Sequence, residues 1–250
     1  LISEAFHFLQ DGLNLKSNVI SEIFKKWNDG KLNSYLIEIT SNILCFKDEK
    51  NEFLLPKILD IAGQKGTGAW TVNAACKYGV PVTLIAEAVF SRYLSGLRQD
   101  RKIASIMLKG PEHKNISDQE DMIEHLENAL FAAKVISYAQ GFMLMRKASV
   151  VHGWQLNYGN IALIWRGGCI IRSSFLNKIK AAYERNPELN NLLLDNFFLK
   201  ELENCQLSLR KIICNAIELG IPLPSFSSAL AFYDGFRCSI LPANLIQAQR

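Results

Sequence analysis

No uninterrupted apolar run reaches the roughly 18 to 20 residues that a membrane-crossing helix requires. The longest candidate, from about Ala129 to Met145, is broken by Lys134, Gln140 and Gly141, so no membrane span is expected. The biases of disordered, collagenous or disulfide-rich chains are also missing. Of 250 residues, 49% are hydrophobic, 21% charged and 10% aromatic, enough apolar material for a sizeable core. An excess of one charge is lacking as well: 28 basic residues face 24 acidic ones, and the basic ones are scattered. That argues against nucleic acid as the main ligand. A pocket for an anionic small molecule stays open, because a few converging cations hold a phosphate without moving the net charge much. The six cysteines (Cys45, Cys76, Cys169, Cys205, Cys214, Cys238) form no CxxC pair. The four histidines (His7, His113, His125, His152) have no metal-ligand spacing with them. Reduced thiols, a cytoplasmic setting and no metal are the expectation. No Ser/His/Asp or Cys/His set stands out by spacing. Leu1 already lies inside an amphipathic pattern with Ala5, Phe8 and Leu9, with no methionine, signal or transit peptide before it, so a piece of a longer chain is expected.

Strand-like alternation is scarce, and helical spacing is abundant. Ile20, Ile23, Phe24 and Trp27 follow the i, i+3, i+4, i+7 pattern of one helical face, with Gly30 at the expected stop. Leu36, Ile39 and Ile43 continue it. Ser117 to Glu120 has the pattern of a capping box, opening a helix expected to run to about Lys147. Its stretch Ala129 to Leu144 is apolar nearly all round, which places it at the centre of the domain. An all-α fold is expected. The chain also resembles itself at a nearly constant shift: Leu15, Asn18, Ile20 and Ile23 match Leu156, Gly159, Ile161 and Ile164. Likewise Ser34-Tyr35-Leu36 matches Ser174-Phe175-Leu176, and Gly79-Val80-Pro81 matches Gly220-Ile221-Pro222. A duplicated helical unit explains a shared shift of 140 to 141 better than convergent helix patterns, the competing reading. We expect one domain over residues 1–250, with pseudo-repeats of about 1–120 and 121–250.

The least helical stretch is Asp60-Ile-Ala-Gly-Gln-Lys-Gly-Thr-Gly-Ala-Trp70, followed by a helix expected to stop near Gly79. Gly63, Gly66 and Gly68 let the backbone turn sharply, and the following helix N-terminus favours negative charge. The spacing matches neither GxxxxGK[ST] nor GxGxxG; a structural turn and an anion site both fit. Arg92 sits in the apolar run Leu84 to Leu97, where a cation needs an ion-pair partner such as Glu87, or a ligand. In Ile161 to Ser173, Arg166 and Arg172 flank a Gly167-Gly168 break and are expected to cap buried carbonyls.

The run Ile58-x-Asp60-x-x-Gly63-Gln64-Lys65-Gly66-Thr67-Gly68-x-Trp70 resembles the signature of the 6-phosphogluconate dehydrogenase family. Further blocks resemble the family in the same order. They are Ser34 to Ile39, Tyr78 to Ile85, Glu87 to Phe90, Ala162 to Arg172, Phe232 to Gly235 and Leu241 to Arg250, so the whole chain is covered. The resemblance implies the family's carboxy-terminal domain: all-α, multihelical, a duplicated unit around long central antiparallel helices. It implies an NADP-dependent oxidative decarboxylation of 6-phosphogluconate to ribulose 5-phosphate, CO2 and NADPH, in the pentose phosphate pathway. The C3 hydroxyl loses hydride to NADP, the C1 carboxylate leaves as CO2, and the enediol tautomerises. A lysine base and a glutamate acid serve this chemistry in the family, and both belong to a segment expected upstream of Leu1. The amino-terminal Rossmann domain is likewise outside this sequence. No catalytic or cofactor-binding residue is therefore expected here, and the chain alone is expected to be inactive.

By the same resemblance Lys65, Thr67 and Arg92 contact the substrate phosphate, and Arg250 is donated to the active site of the neighbouring subunit of a homodimer. Ala69 stands where many relatives carry a basic residue, and Cys238 where histidine is common. Two other readings compete with the enzyme domain. One is a non-catalytic helical dimerisation module of the same fold; the other is a related β-hydroxyacid dehydrogenase, disfavoured by the loop signature.

Overall fold

A computed structural model describes residues 1–112 and 116–250; His113 lies outside the described residues. The chain is all-α: among those residues there is no strand, only isolated bridges pairing Ser34 with Ser173 and Lys47 with Phe53. Helix α1 (Ile2–His7) passes into a π turn, Phe8–Gly12, and is followed by α2 (Ser17–Asn28) and α3 (Tyr35–Cys45). After a long connection come α4 (Thr67–Tyr78), α5 (Thr83–Gly96) and α6 (Arg98–Met107). The second half contains α7 (Gln119–His152), α8 (Tyr158–Ile164), α9 (Leu176–Arg185), α10 (Asn196–Leu219), α11 (Pro224–Phe236) and α12 (Ala243–Ala248).

Helix α7 is the axis of the fold. Its 34 residues span about 51 Å at 1.5 Å per residue. Residues 129–133 are buried in unbroken succession, so the helix is enclosed on all sides at that level. Helix α10 lies antiparallel to it. Lys211 pairs with Asp121 at 2.5 Å, Ser208 with His125 at 2.9 Å, and the Cys205 thiol donates to Asn128 at 3.7 Å, so one sequence descends as the other rises. The N-cap of α7 is Asp118, whose carboxylate accepts the Asp121 N–H at 3.0 Å, one residue later than the capping-box pattern suggested. The helix also runs five residues past Lys147, to His152, before Gly153 turns left-handed.

Helix α2 buries Ile20, Phe24 and Trp27 as expected. Helix α3 is rotated from expectation. It buries Ile37, Ser41 and Leu44, while Ile43 is 43% exposed. The Ser41 hydroxyl explains the choice, because it donates to the carbonyl of buried Ser21 on α2 at 3.1 Å, the Ser21 hydroxyl donates to the Ser41 carbonyl at 2.8 Å, and the two hydroxyls lie 3.3 Å apart.

Helix boundaries recur at the shift found in the sequence. Tyr35 and Leu176 open α3 and α9, and Thr83 and Pro224 open α5 and α11. Tyr78 and Leu219 close α4 and α10; each pair is 141 positions apart. Both closing glycines, Gly79 and Gly220, are left-handed. On these grounds we propose that residues 1–250 form one domain of two related halves. The equivalent helices α5 and α11 pack on each other, and each is capped by a side chain from a different helix. Gln140 of α7 accepts the Leu84 N–H at 3.0 Å and donates to Thr83 Oγ1 at 3.1 Å. Glu4 of α1 accepts the N–H groups of Ser225 at 3.0 Å and Phe226 at 3.2 Å.

Candidate functional site

The Asp60–Trp70 loop is exposed but tied down along its length. Asp60 accepts from Arg98 at 3.0 Å and Arg101 at 2.9 Å, and these hydrogen bonds, Arg101 first, hold its carboxyl below the usual carboxylate range. The Ala62 N–H donates to Ser95 Oγ at 2.9 Å, Arg92 Nη1 donates to the Gly63 carbonyl at 2.7 Å, and Gln64 donates to the Tyr93 hydroxyl. The loop therefore rests on the second half of α5 and the first turns of α6.

Gly66 ends the loop at φ +98°, a backbone state that costs a side chain roughly 1 to 2 kcal/mol. It precedes the first turn of α4, whose N–H groups have no side-chain cap among the described residues and stand at the positive end of the helix dipole. Gly68 is already helical, and its absent side chain has a packing reason: a Cβ there would stand 2.9 Å from Val89 Cγ2, forcing α4 off α5. We expect Gly66→Ala to lower stability by about 1 to 2 kcal/mol and to speed amide hydrogen exchange at residues 63–69; exchange unchanged in the loop would contradict the role given to Gly66.

Lys65 and Thr67 lie on this loop with both side chains exposed, and Arg92 is joined to it through Gly63. The structure thus brings three of the four expected substrate residues to one place. Arg250 is not among them: it follows α12, is exposed, and its backbone N–H bonds back to Gln247 at 3.3 Å. The suggested Arg92–Glu87 ion pair does not form among the described residues, and Arg92 is exposed rather than desolvated. Arg166 and Arg172 do not cap carbonyls. They donate to the Asn177 side chain at 3.0 Å and the Glu38 carboxylate at 2.6 Å, because the nearby carbonyls already have donors: Tyr138 OH on Ile171 at 2.7 Å and the Tyr35 N–H on Arg172 at 3.2 Å.

Several residues that build the site carried only weak sequence signals. Arg98 and Arg101 recur at helical i, i+3 spacing, a hint that one face of α6 seeks an anion. Gln140 looked like an interruption of an apolar run, yet it caps the helix that carries Arg92. A cavity of about 410 Å³ also lies against Arg92, lined in part by Lys134, Tyr138 and Arg172. Burial pushes the Lys134 ammonium down to about 7 and raises the Tyr138 phenol.

Among the described residues no group of three or more His, Cys, Asp or Glu side chains could hold a metal ion. No helix there is long and apolar enough to cross a membrane.

These features define an all-helical domain presenting a pinned glycine loop with exposed cations. The family described as 6-phosphogluconate dehydrogenase, C-terminal domain, matches residues 1–250, and the chain belongs to it. A Mus musculus "6-phosphogluconate dehydrogenase, decarboxylating" is 56% identical over 251 residues, aligning 100% of this chain with 52% of its own length. The Caenorhabditis elegans protein of that description is 53% identical over 253 residues, with the same shares covered. A Plasmodium falciparum 6-phosphogluconate dehydrogenase, solved in its apo form, with NADP+ and with 6-phosphogluconate, superimposes with a TM-score of 0.96 at 44% identity. It is covered over 100% of this chain and 54% of its own. The chain spans about half the length of the curated relatives it matches.

Proposed function

We propose that this chain is the substrate-binding and dimerisation domain of a cytoplasmic, NADP-dependent, decarboxylating 6-phosphogluconate dehydrogenase. The observation that carries the proposal is the clamp of Arg92 on Gly63, which holds the Lys65–Thr67 segment beside a second cation at the mouth of α4. A phosphate dianion there meets the Lys65 ammonium, the Thr67 hydroxyl and the first N–H groups of α4. Arg92 spends one N–H on Gly63 and keeps other donors of its planar fork for the ligand. Fixing the phosphate end orients the remainder of the sugar acid toward groups carried elsewhere in the protein. Arg250, by the family resemblance, completes this set from a neighbouring subunit. The character of α12 supports that role: the helix buries no residue on its own chain, and Leu241, Leu245 and Ile246 are each more than half exposed, as expected of a segment that covers another surface.

NADP is the hydride acceptor of the proposed reaction. The residues present do not fit it as a dinucleotide cradle, since the described chain has no strand and no glycine-rich strand-to-helix turn. No hydride or proton transfer is assigned to a residue of this chain.

Isothermal titration of the chain with 6-phosphogluconate and with inorganic phosphate, alongside its mass by light scattering, tests the proposal. Saturable binding by a dimer, lost in Lys65→Ala, is expected. A folded monomer that binds neither ligand would count against both roles.

A further inference from the structure

Residues 60–65, the part of the loop that precedes Gly66, are all exposed, so packing against a core does not set their position and polar ties must. Arg101 of α6 supplies the tie with the widest reach. Its Nη2 donates to the Asp60 carboxylate at 2.9 Å and the Asp60 carbonyl at 3.3 Å, and also to the Ser95 carbonyl at 3.0 Å. Ser95 stands in the last turn of α5, whose final carbonyls have no donor within the helix. The guanidinium therefore caps the helix that carries Arg92. Helices α5 and α6 are linked through Leu97 alone, so the same bond fixes the corner between them. The Ser95 hydroxyl extends the brace, donating to the Arg92 carbonyl at 2.6 Å and accepting the Ala62 N–H at 2.9 Å. Arg98, one helical turn before Arg101, adds a second hold on Asp60 at 3.0 Å. The Arg101 Nε is enclosed and has no hydrogen-bond partner among the described residues. Both its Nη2 and its Nε are thus turned to the protein and not to a ligand.

We propose that Arg101 is a positioning residue for phosphate recognition: by holding Asp60 and Ser95 on one guanidinium it fixes the Lys65–Thr67 segment relative to Arg92, so that a phosphate meets a preformed site. The inference rests on reading Lys65, Thr67 and Arg92 as the phosphate-binding group. Arg101 acts at both sides of that group, since Asp60 opens the loop and Ser95 lies three residues beyond Arg92. Without it the loop keeps its ties at Ala62, Gly63 and Gln64, but Asp60 and the end of α5 are no longer joined. A loop that must be ordered by its ligand binds it more weakly than one already in place. Asp60 is the partner through which Arg101 acts on the loop, and its carboxyl is held below the usual range by Arg101 first and Arg98 second.

The test is made in the full-length protein by titration with inorganic phosphate and with 6-phosphogluconate, the binding that Lys65→Ala abolishes being assigned to this site. Arg101→Met is expected to weaken that binding roughly 5- to 20-fold and to speed amide hydrogen exchange at residues 60–67, with NADP affinity moving by less than about 2-fold. Arg101→Lys keeps three donors on one ammonium and should recover part of the affinity. Asp60→Asn should weaken phosphate binding as well, and the double variant should lose less than the two singles together, because both act through one contact. If Arg101→Met does not fold, Arg101→Lys and Asp60→Asn with their double variant carry the same comparison. Phosphate affinity unchanged in a variant whose unfolding midpoint has dropped would make Arg101 a structural residue only and overturn the proposal. Equal losses for phosphate and NADP, or additive losses in the double variant, would overturn it too. Turnover of 6-phosphogluconate with NADP by the unmodified protein is read separately; its absence removes the dehydrogenase reading, while the phosphate affinities still judge Arg101.

Discussion

If the proposed function holds, replacing Arg92 with alanine in the full-length protein is expected to raise KM for 6-phosphogluconate about 10- to 150-fold, the equivalent of about 1.5 to 3 kcal/mol of charge-assisted hydrogen bonding. KM for NADP should move by less than about 2-fold, because on the proposed reading only the sugar acid meets this group. Two losses combine in Arg92→Ala. The guanidinium no longer faces the phosphate, and the 2.7 Å bond to the Gly63 carbonyl disappears, releasing the loop that carries Lys65 and Thr67. Lys65→Ala removes charge but leaves that clamp intact, so its effect should be smaller. Arg92→Lys separates the contributions, since lysine keeps the charge without a planar fork to serve loop and ligand together. Steady-state kinetics on the three variants checks the order. Equal losses for NADP and the sugar acid would remove Arg92 from the phosphate site.

The second large effect is on stability. Phe142 is 2% exposed, and its ring centre lies 5.5 Å from that of Trp165, 5.4 Å from Tyr183 and 6.4 Å from Tyr158. These rings join α7 to α8 and α9. Phe142→Ala should cost about 3 to 5 kcal/mol, because the surrounding rings cannot all collapse into the space left behind. Urea denaturation should show a lower midpoint with an unchanged slope. Phe46, 59% exposed, is the control, and its alanine variant should stay within about 0.5 kcal/mol of the parent. A loss below about 1.5 kcal/mol at Phe142 would mean that the aromatic cluster is not the rigid packing unit seen here.

Much of the fold was legible without coordinates. The spacing of Ile20, Phe24 and Trp27 placed α2 and its buried face, and the apolar run after Ala129 identified the central helix. The glycines around Lys65 marked the break before α4. Each of these signals is local, because the i to i+4 ladder of a helix and the φ of a glycine depend on near neighbours in sequence. The face of α3 was not legible. Leu36, Ile39 and Ile43 are as apolar as the buried Ile37 and Leu44, and the decision fell to a hydroxyl pair with α2, 20 positions away. The arginines failed for a related reason: long flexible side chains take whichever acceptor the tertiary fold brings near, so spacing along one helix does not determine their partner.

By itself the sequence determined that this protein is all-α, where its main helices run, which loop carries the candidate phosphate ligands and which family it resembles. Tertiary structure alone decided how that loop is held and which partners the polar side chains take. Arg92 reaches Gly63 across 29 positions, Gln140 caps α5 across 56, Arg172 finds Glu38 across 134 and Glu4 caps α11 across 221. Those pairings are set by the packing of whole helices, whose energy is a sum over many side chains, and no short window of sequence contains that sum.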